Sequence, residues 1–466
     1  MQFLSDDFLL DTQTAQELYH TYAEKMPILD YHCHVDPGDI WKNRRFENLT
    51  QLWLESDHYK WRLMRANGVD ERYITGNAPE REKFQRFAET LPRAVGNPLL
   101  HWCHLELKSY SGWNGFLTAD TAQEVWELCS DRLQNDPGLR ARGLIAQSRV
   151  EMIGTTDDPC SDLLWHEKLA ADGSFRTAVL PTFRPDSVLE LRKPGFAACI
   201  RRLEDAAGSE LRGVEDVRRA LSQRLRFFIA HGCRSADHGL AGIPFRRAKD
   251  SDLDRIFARA MAGEAVTADE AEAYRTELLL FCAREYAENG IVMQLHYSCL
   301  RDPNTRMYAA LGGDRGFDSI AVSSNTQALQ SLLDTLEREN ALPKTVLYSL
   351  NPADNAFLDC IIGAYQSSEL PGKLQHGSAW WFNDTKAGMT DHLTGLAGMG
   401  ILGNFIGMLT DSRSLLSYVR HAYFRRVLCS LLGRWVENGE YPNDLPLLGS
   451  LVEDVCYYNA KRYFQL

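Results

Sequence analysis

In the stretch Pro27-Ile28-Leu29-Asp30-Tyr31-His32-Cys33-His34, an apolar run ends in two histidines, and Asp36-Pro37-Gly38 follows at once. This order predicts a buried strand that gives way to a loop. Residues i and i+2 of a strand point to the same side, so His32 and His34 can reach one metal ion. Two ordinary, partly buried histidines can have the same spacing. The position at a strand end therefore indicates a metal site more strongly than the spacing does.

Eight short apolar, β-branched or aromatic stretches recur between longer helical patterns, and each ends in polar residues. They are residues 28–34, 144–157, 177–184, 233–238, 291–296, 344–350, 375–381 and 406–411. This alternation is typical of a parallel α/β sheet. Eight strands predict an α/β fold of the closed (β/α)8 TIM-barrel type, with its active site at the carboxyl ends of the strands. A doubly wound open sheet is the alternative, but no Gly-x-Gly-x-x-Gly follows the first stretch.

The chain length exceeds what a minimal barrel needs. Its 466 residues contain no linker-like tract and no internal repeat, so we expect a single elaborated barrel over residues 1–466. The excess falls at residues 35–143, where the apolar spacing predicts a mainly helical insertion after the first strand. Such an insertion would lie over the barrel mouth, where loops commonly supply substrate contacts. Helical patterns also cover 254–287 and 325–340.

The charge balance limits the class of partner. There are 51 Lys and Arg against 63 Asp and Glu, a net charge of −12. Nucleic-acid binding needs a clustered basic surface, so this balance argues against a nucleic-acid partner. A small-molecule substrate that is an anion would have to be held by local arginines or lysines.

Cysteine usage and hydropathy bear on the compartment. The eleven cysteines are scattered without a Cys-x-x-Cys pair, which favours a reducing compartment over a disulfide framework. No apolar run approaches the ~20 residues that span a bilayer. The N-terminus is acidic and lacks the order of a signal peptide. We therefore expect a cytoplasmic protein with no membrane partner.

Asp411 is the strongest candidate for a third metal ligand. It follows Phe405-Ile406-Gly407-Met408-Leu409-Thr410, the last predicted strand, which lies beside the first strand in a closed barrel. Its carboxylate could then share an ion with His32 and His34, because metal sites need acids to balance the cation. The alternative is an aspartate that caps a helix starting near Ser414.

Other polar or aromatic residues also fall at the ends of predicted strands. They are Asp157, Asp158, Arg184, Asp186, Asp237, His238, His296, Trp380 and Arg413. Arg413 can hold a carboxylate through a two-pronged contact. His296 fits a ligand, a hydrogen-bond donor to substrate or a satisfied core histidine, and Trp380 fits a pocket wall or barrel packing. His101 and His104 have helical spacing, but no acid completes a metal site there.

A series of short motifs follows along nearly the whole chain. They are Phe8-Leu9-Leu10, Asp30-Tyr31-His32-Cys33-His34, Asp57-His58-Tyr59-Lys60-Trp61-Arg62, Thr155-Thr156-Asp157-Asp158-Pro159, Pro181-Thr182-Phe183-Arg184-Pro185-Asp186, Asp237-His238-Gly239, Gln294-Leu295-His296, Ala379-Trp380-Trp381-Phe382-Asn383 and Leu409-Thr410-Asp411-Ser412-Arg413-Ser414. In this order they resemble the uronate isomerase family, the glucuronate isomerase branch of the amidohydrolase superfamily. So many ordered matches are far more specific than one His-x-His pair.

The resemblance implies a (β/α)8 barrel with one divalent metal ion, usually zinc. The ligands would be His32, His34 and Asp411. It also implies an aldose-ketose isomerase that converts D-glucuronate to D-fructuronate and D-galacturonate to D-tagaturonate, reversibly. A hexuronate is then the expected small-molecule substrate, and the sequence leaves the oligomeric state open, a homo-oligomer included.

This reaction moves a proton from C2 to C1 through an enediol. Asp411 or a metal-bound hydroxide is expected to shuttle the hydroxyl proton, and Tyr59 is the candidate for proton transfer at C2. The Tyr59 phenol would need a cation or an arginine nearby to lower its pKa. Arg413 and Arg184 are the candidates to clamp the substrate carboxylate. The residues expected to line the sugar are Asp237, His296 and Trp380.

Three other classes compete with this interpretation. A metal-dependent hydrolase of the same superfamily would use the same ion to attack an amide or ester. A decarboxylase would also bind an acid but would release CO₂. A non-catalytic protein with a structural metal would fill the coordination sphere with Cys or His. Hydride transfer also remains an alternative to the enediol route.

Overall fold

Parallel strands form two neighbouring sheets in the computed structural model, which describes residues 3–322 and 325–466. The strands are β1 (Ile28–Asp30), β2 (Val150–Gly154), β3 (Ala178–Leu180), β4 (Ser235–Gly239), β5 (Val292–Tyr297), β6 (Cys299–Leu300), β7 (Ser319–Ile320), β8 (Thr345–Ser349) and β9 (Leu374–His376). One sheet has the order β1-β2-β3 and the other β4-β5-β8-β9, while β6 and β7 pair antiparallel. Isolated parallel bridges from Phe183 to Asp157 and to Ala236 connect the two sheets.

Seven of the eight predicted stretches overlap a strand of these parallel sheets. The eighth does not: residues 406–411 form no strand, so that part of the prediction is wrong. The physical reason is the backbone, because Gly407 at φ +77° and Asp411 at φ +47° are left-handed and interrupt a ladder. The segment still lies beside β1. Asp411 N donates to the His32 carbonyl at 3.2 Å, and His34 N donates to the Ser412 carbonyl at 2.9 Å.

Helices fill most of the chain between β1 and β2. Their bounds are Pro37–Trp41, Leu49–Trp53, His58–Ala66, Glu80–Thr90, Pro98–Glu106, Ala122–Asn135 and Ala141–Gln147. The helix His58–Ala66 begins where Asp57 caps it, since the Asp57 carboxylate accepts from Tyr59 N at 2.9 Å and from Lys60 N at 3.2 Å. This cap fixes where the His58 and Tyr59 side chains leave the backbone.

The remaining helices precede β1 or follow β2. They are Gln13–Leu18, Leu164–Ala171, Asp186–Leu189, Phe196–Ala207, Val214–Ala230, Asp250–Met261, Ala268–Asn289, Thr305–Leu311, Thr326–Arg338, Asn355–Ala364, Lys386–Met399, Val419–Glu437, Leu445–Glu453 and Asn459–Phe464. The single helix predicted at 254–287 is two helices. Gly263 at φ +74° follows the first, and a capping box between Thr267 and Glu270 starts the second.

The central strands are buried over their full length, as parallel strands covered by helices should be. All residues of β5 and β8 are buried, and their apolar side chains pack in two hydrophobic clusters. None of the helices in the described part of the chain combines the length and the apolarity needed to cross a bilayer.

Candidate active site

A cavity of about 660 Å³ opens at the carboxyl ends of the parallel strands. The predicted site residues that line it are His32, His34, Arg184, His296, Trp380, Asp411 and Arg413. Trp381, which like Trp380 fits a pocket wall or barrel packing by sequence, also lines it. Sequence reasoning did not assign a role to further lining residues, namely His58, Glu190, Lys193, Arg275 and Asp302. Of these, His58 belongs to a motif quoted above, and that membership was the available signal.

The His32, His34 and Asp411 side chains converge on one point of this cavity. Asp411 Oδ1 lies 3.3 Å from His32 Nε2 and 3.1 Å from His34 Nε2. The backbone hydrogen bonds between the two segments set this geometry, because they place the carboxylate opposite the two rings. These three side chains form one of the two groups in the described ranges that could hold a metal ion.

The charges of this group suit a cation. Burial opposes ionisation of Asp411, but hydrogen bonds from His32 and His34 outweigh it and hold the Asp411 pKa well below its usual range. Burial lowers the pKa of His34 to about 4, so its imidazole is neutral at pH 7, the form that binds metals. Burial also lowers the pKa of His32, but the Asp237 and Asp411 carboxylates outweigh this effect and raise it. The His32 imidazole therefore lies near two carboxylates.

His296 joins His32 and Asp237 in the second group. Asp237 Oδ1 lies 2.6 Å from His296 Nδ1, and the His296 ring stacks on His32 with centroids 4.5 Å apart. Because a carboxylate accepts only, Nδ1 carries the proton and Nε2 keeps its lone pair. His296 Nε2 and His32 Nδ1 have no hydrogen-bond partner in the described part of the chain. Both atoms are therefore buried without a partner among the described residues.

Arg184 lies between two carboxylates. Its Nε donates to Asp186 Oδ2 at 3.1 Å, and its Nη1 lies 3.1 Å from Asp237 Oδ2, without hydrogen-bond geometry. Asp237 is fully buried and does not line the cavity, so it contacts Arg184 and His296 on their side away from the cavity. The Arg184 charge is thus already balanced by the protein.

Arg413 is held more loosely. Its Nη2 donates to Asp314 Oδ2 at 2.6 Å, and both side chains are partly exposed at the cavity rim. Arg413 follows Asp411 by two residues, so the arginine faces the same space as the ligand group.

Trp380 is buried and packs edge-on against His296, with ring centroids 4.7 Å apart. Its ring lines the cavity, in agreement with the pocket-wall alternative.

Tyr59 lies outside the lining of this cavity. Its ring stacks on His58, which does line it, with centroids 5.2 Å apart. The Tyr59 hydroxyl donates to Asp384 Oδ2 at 3.1 Å. Burial and Asp384 raise the Tyr59 pKa well above 10, although the Arg420 guanidinium lies 5.0 Å from the ring centre and opposes the shift. The lowered pKa that its proposed role requires is therefore absent here, and the role of Tyr59 itself stays a prediction.

Several other predicted rim residues make internal contacts instead. Asp157 accepts a hydrogen bond from the Thr155 hydroxyl at 2.6 Å, and His238 Nε2 lies 3.1 Å from the Tyr286 hydroxyl. His101 and His104 belong to neither group of potential metal ligands found in the described ranges.

Known proteins are similar to this chain over nearly its whole length. The model of the glucuronate isomerase family matches residues 1–464. A uronate isomerase of Endomicrobium trichonymphae is 50% identical over 464 residues, covering 100% of this chain and 99% of that protein. One of Lachnospira eligens is 50% identical over 463 residues, covering 99% of both chains.

Solved structures are similar over the same extent. The crystal structure of the Thermotoga maritima uronate isomerase superimposes with a TM-score of 0.94 at 33% identity and covers 100% of both chains. That of the Caulobacter crescentus glucuronate isomerase gives a TM-score of 0.92 at 25% identity, covering 99% of this chain and 97% of the other. With its full-length family match and half-identical relatives, the chain belongs to the glucuronate isomerase family.

Proposed function

We propose that this protein is an aldose-ketose isomerase that interconverts D-glucuronate with D-fructuronate, and D-galacturonate with D-tagaturonate. The observation that carries the proposal is one cavity in which two imidazoles and a carboxylate converge beside two arginines, in a chain that matches its family from end to end. A uronic acid needs both parts: a cationic contact for its carboxylate and a polarising site for its carbonyl.

We also propose that the sheets close into a (β/α)8 barrel, with residues 405–412 as its eighth element. Support comes from both neighbours of that segment. On one side it forms backbone hydrogen bonds with His32 and His34, which follow β1. On the other, Gln375 Nε2 in β9 donates to the carbonyl of Asn404, the residue immediately before the segment, at 3.0 Å. In this fold the whole chain is one elaborated barrel. Residues 35–143 lie over its mouth, where His58 lines the cavity.

A single divalent ion, zinc in our proposal, fits His32, His34 and Asp411. Three ligand atoms bound to one tetrahedral zinc at about 2.0–2.2 Å lie about 3.3–3.6 Å apart, close to the 3.1 and 3.3 Å found here. The neutral His34 ring and the ionised Asp411 are the forms that bind metals. When bound, the ion would act as a Lewis acid toward the sugar carbonyl.

The protein groups divide the proton transfers between them. Asp411 is ionised and can hold the proton of the sugar hydroxyl as it moves between the C1 and C2 oxygens. Tyr59 is proposed to carry the proton between C2 and C1. Arg413, at the same cavity, can stabilise the negative charge that develops on the enediol oxygens.

Arg413 and Arg184 are the proposed clamps for the substrate carboxylate. Arg413 has one partly exposed partner, Asp314, which a substrate carboxylate can replace at little cost. Arg184 is fixed by Asp186 and Asp237, so it offers a rigid donor rather than an unpaired charge. His296 and Trp380 would line the sugar, and Asp237 would act through Arg184 and His296.

The test is conversion of each aldose by the zinc-loaded protein. D-glucuronate and D-galacturonate are incubated separately, and D-glucose serves as the control that lacks the carboxylate. We expect ketose from at least one uronate and none from glucose. Absence of ketose from both uronates would overturn the proposal and return the metal-dependent hydrolase as the next candidate.

All eleven cysteines are free, which supports the proposed cytoplasmic location.

A further inference from the structure

The main cavity is larger than one hexuronate requires. Its volume is about 660 Å³. A hexuronate has about 13 non-hydrogen atoms, and even at the ~30 Å³ that a water molecule takes up in the liquid they would fill only about 390 Å³. Covalently bonded atoms pack more closely than separate water molecules, so the volume of the sugar is smaller still. The cavity therefore has room for a second group of about the size of a sugar.

Four charged residues of the cavity lining lie outside the strand ends and take no part in the proposed isomerisation. They are Glu190, Lys193, Arg275 and Asp302, and we call them the second wall. All four belong to the chain between β3 and β7, whereas His32, His34 and Asp411, the metal group, follow β1 or belong to the last segment. In the proposed barrel the second wall and the metal group therefore lie on largely opposite sides of the mouth.

Two cations of the second wall have donors to spare. Lys193 is exposed, and no carboxylate of the described residues lies within ion-pair distance of its ammonium group. Arg275 Nη2 donates to Glu190 Oε2 at 2.7 Å, but its buried Nε has no hydrogen-bond partner in the described ranges. An unpaired ammonium group and a partly used guanidinium are the donors that bind a carboxylate through charge-assisted hydrogen bonds.

Asp302 adds an acceptor to the same wall. Its backbone N donates to Asp318 Oδ1 at 3.0 Å, which holds the residue in place. Its Oδ1 is buried and has no hydrogen-bond partner among the described residues. Buried polar atoms normally have a partner, and the hydroxyl groups of sugars are donors. A ligand with both a carboxylate and hydroxyl groups matches the second wall, whereas a simple anion would leave Asp302 unpaired.

We propose that the second wall binds a second uronate sugar while the first sugar lies at the metal group. The second carboxylate contacts Lys193 and Arg275, and a hydroxyl group of the same sugar donates to Asp302. This sugar is the other half of a uronic-acid disaccharide or a second free hexuronate, since both present the same groups. The inference rests on the proposed function for the position of the first sugar.

Calorimetric titration of the zinc-loaded protein tests this inference. The probes are D-galacturonate, (1→4)-linked digalacturonate and the same disaccharide methylated at the carboxyl group of its second sugar. Each probe is first reduced at C1, so that it binds without being isomerised. We expect one disaccharide per chain, bound about tenfold more tightly than its methyl ester, because the ester lacks only the second charge.

Lys193→Met removes the unpaired ammonium group and keeps a long side chain. In this variant the advantage of the disaccharide over its ester should fall to about threefold or less, since only Arg275 remains to bind the carboxylate. Lys249→Met is the matched control. Lys249 is also exposed but does not line the cavity, so this variant should keep the tenfold advantage.

The stoichiometry identifies the source of the second sugar. Two molecules of reduced galacturonate per chain, the weaker of them lost in Lys193→Met, would support the inference with a free hexuronate as that sugar. One such molecule per chain, with the disaccharide no tighter than its ester, overturns the inference. A tenfold advantage that survives in Lys193→Met overturns it as well. Failure of the proposed function is seen separately, as the absence of ketose from both unreduced uronates, because the titration needs no turnover.

Discussion

Replacing Asp237 by Asn tests the buried network beneath the cavity. Asp237 is fully buried, with His296 Nδ1 at 2.6 Å and Arg184 Nη1 at 3.1 Å from its two oxygens. Asparagine has nearly the same shape and keeps one oxygen for His296. It removes the negative charge and replaces one oxygen by an NH2 donor that faces Arg184, so the change in stability reports on the lost contact with Arg184.

The expected magnitude follows from this geometry. Two unit charges 3.1 Å apart attract by roughly 5 kcal/mol at an effective dielectric constant of about 20. The net loss is smaller, because the neutral asparagine avoids the cost of burying a charge and Arg184 keeps Asp186. Breaking a buried pair typically costs about 3–5 kcal/mol, and we take about 3 kcal/mol. With an unfolding entropy of about 2.1 cal/mol/K per residue, 466 residues give about 1 kcal/mol/K, so Tm should fall by about 3 °C.

Thermal melting at pH 7 is the assay, and Glu339→Gln is the matched control. Glu339 pairs with Arg284 at 2.7 Å, but both side chains are more than a third exposed. An exposed pair contributes under about 1 kcal/mol, so the control should melt within about 1 °C of the wild type. If Asp237→Asn also melts within about 1 °C of the wild type, the contact between Asp237 and Arg184 does not stabilise the fold as described.

Three further expectations concern other parts of the molecule. Burial raises the pKa of Asp157 to about 6. Its ionised form therefore destabilises the fold above that pH, and this cost vanishes as the pH falls toward 4. Asp157→Asn should raise Tm at pH 8, by at most about 3 °C, and leave it nearly unchanged at pH 4. Gly407 has φ +77°, and an added Cβ in Gly407→Ala would collide with the Val455 carbonyl oxygen. By urea titration, this variant should lose more than about 2 kcal/mol of unfolding free energy. The control Gly68→Ala, at φ +76° in open space, should lose only about 1 kcal/mol from backbone strain. Dialysis against a chelator should abolish turnover, and added zinc should restore it. By elemental analysis, His34→Ala should retain less than one tenth of the wild-type metal content. A normal metal content would exclude His34 as a ligand.

Local patterns predicted the strands and the convergence of His32, His34 and Asp411. Each predicted strand that forms is a short apolar run bounded by polar residues, and the period of two places both histidines on one side. The irregular backbone at 406–411 was not predictable from that pattern, because the left-handed conformations at Gly407 and Asp411 depend on packing against other segments.

The residues that surround Tyr59 could not be predicted from the sequence either. Its partner Asp384 is 325 residues away, and Arg420 is farther still. No spacing rule links them, and the proton affinity of each depends on burial that only the folded chain creates. The fixed position of Arg184 has the same origin, since Asp237 becomes its partner only when β4 lies beside the segment after β3.

The most direct test of the central claim is proton NMR of the zinc-loaded protein with D-glucuronate in D₂O. We expect ketose signals together with deuterium at C1, because the proton removed from C2 passes through protein groups that exchange with solvent. Unchanged D-glucuronate and D-galacturonate would contradict the isomerase assignment, and ketose formed with the C2 hydrogen fully retained at C1 would contradict the exchangeable proton route.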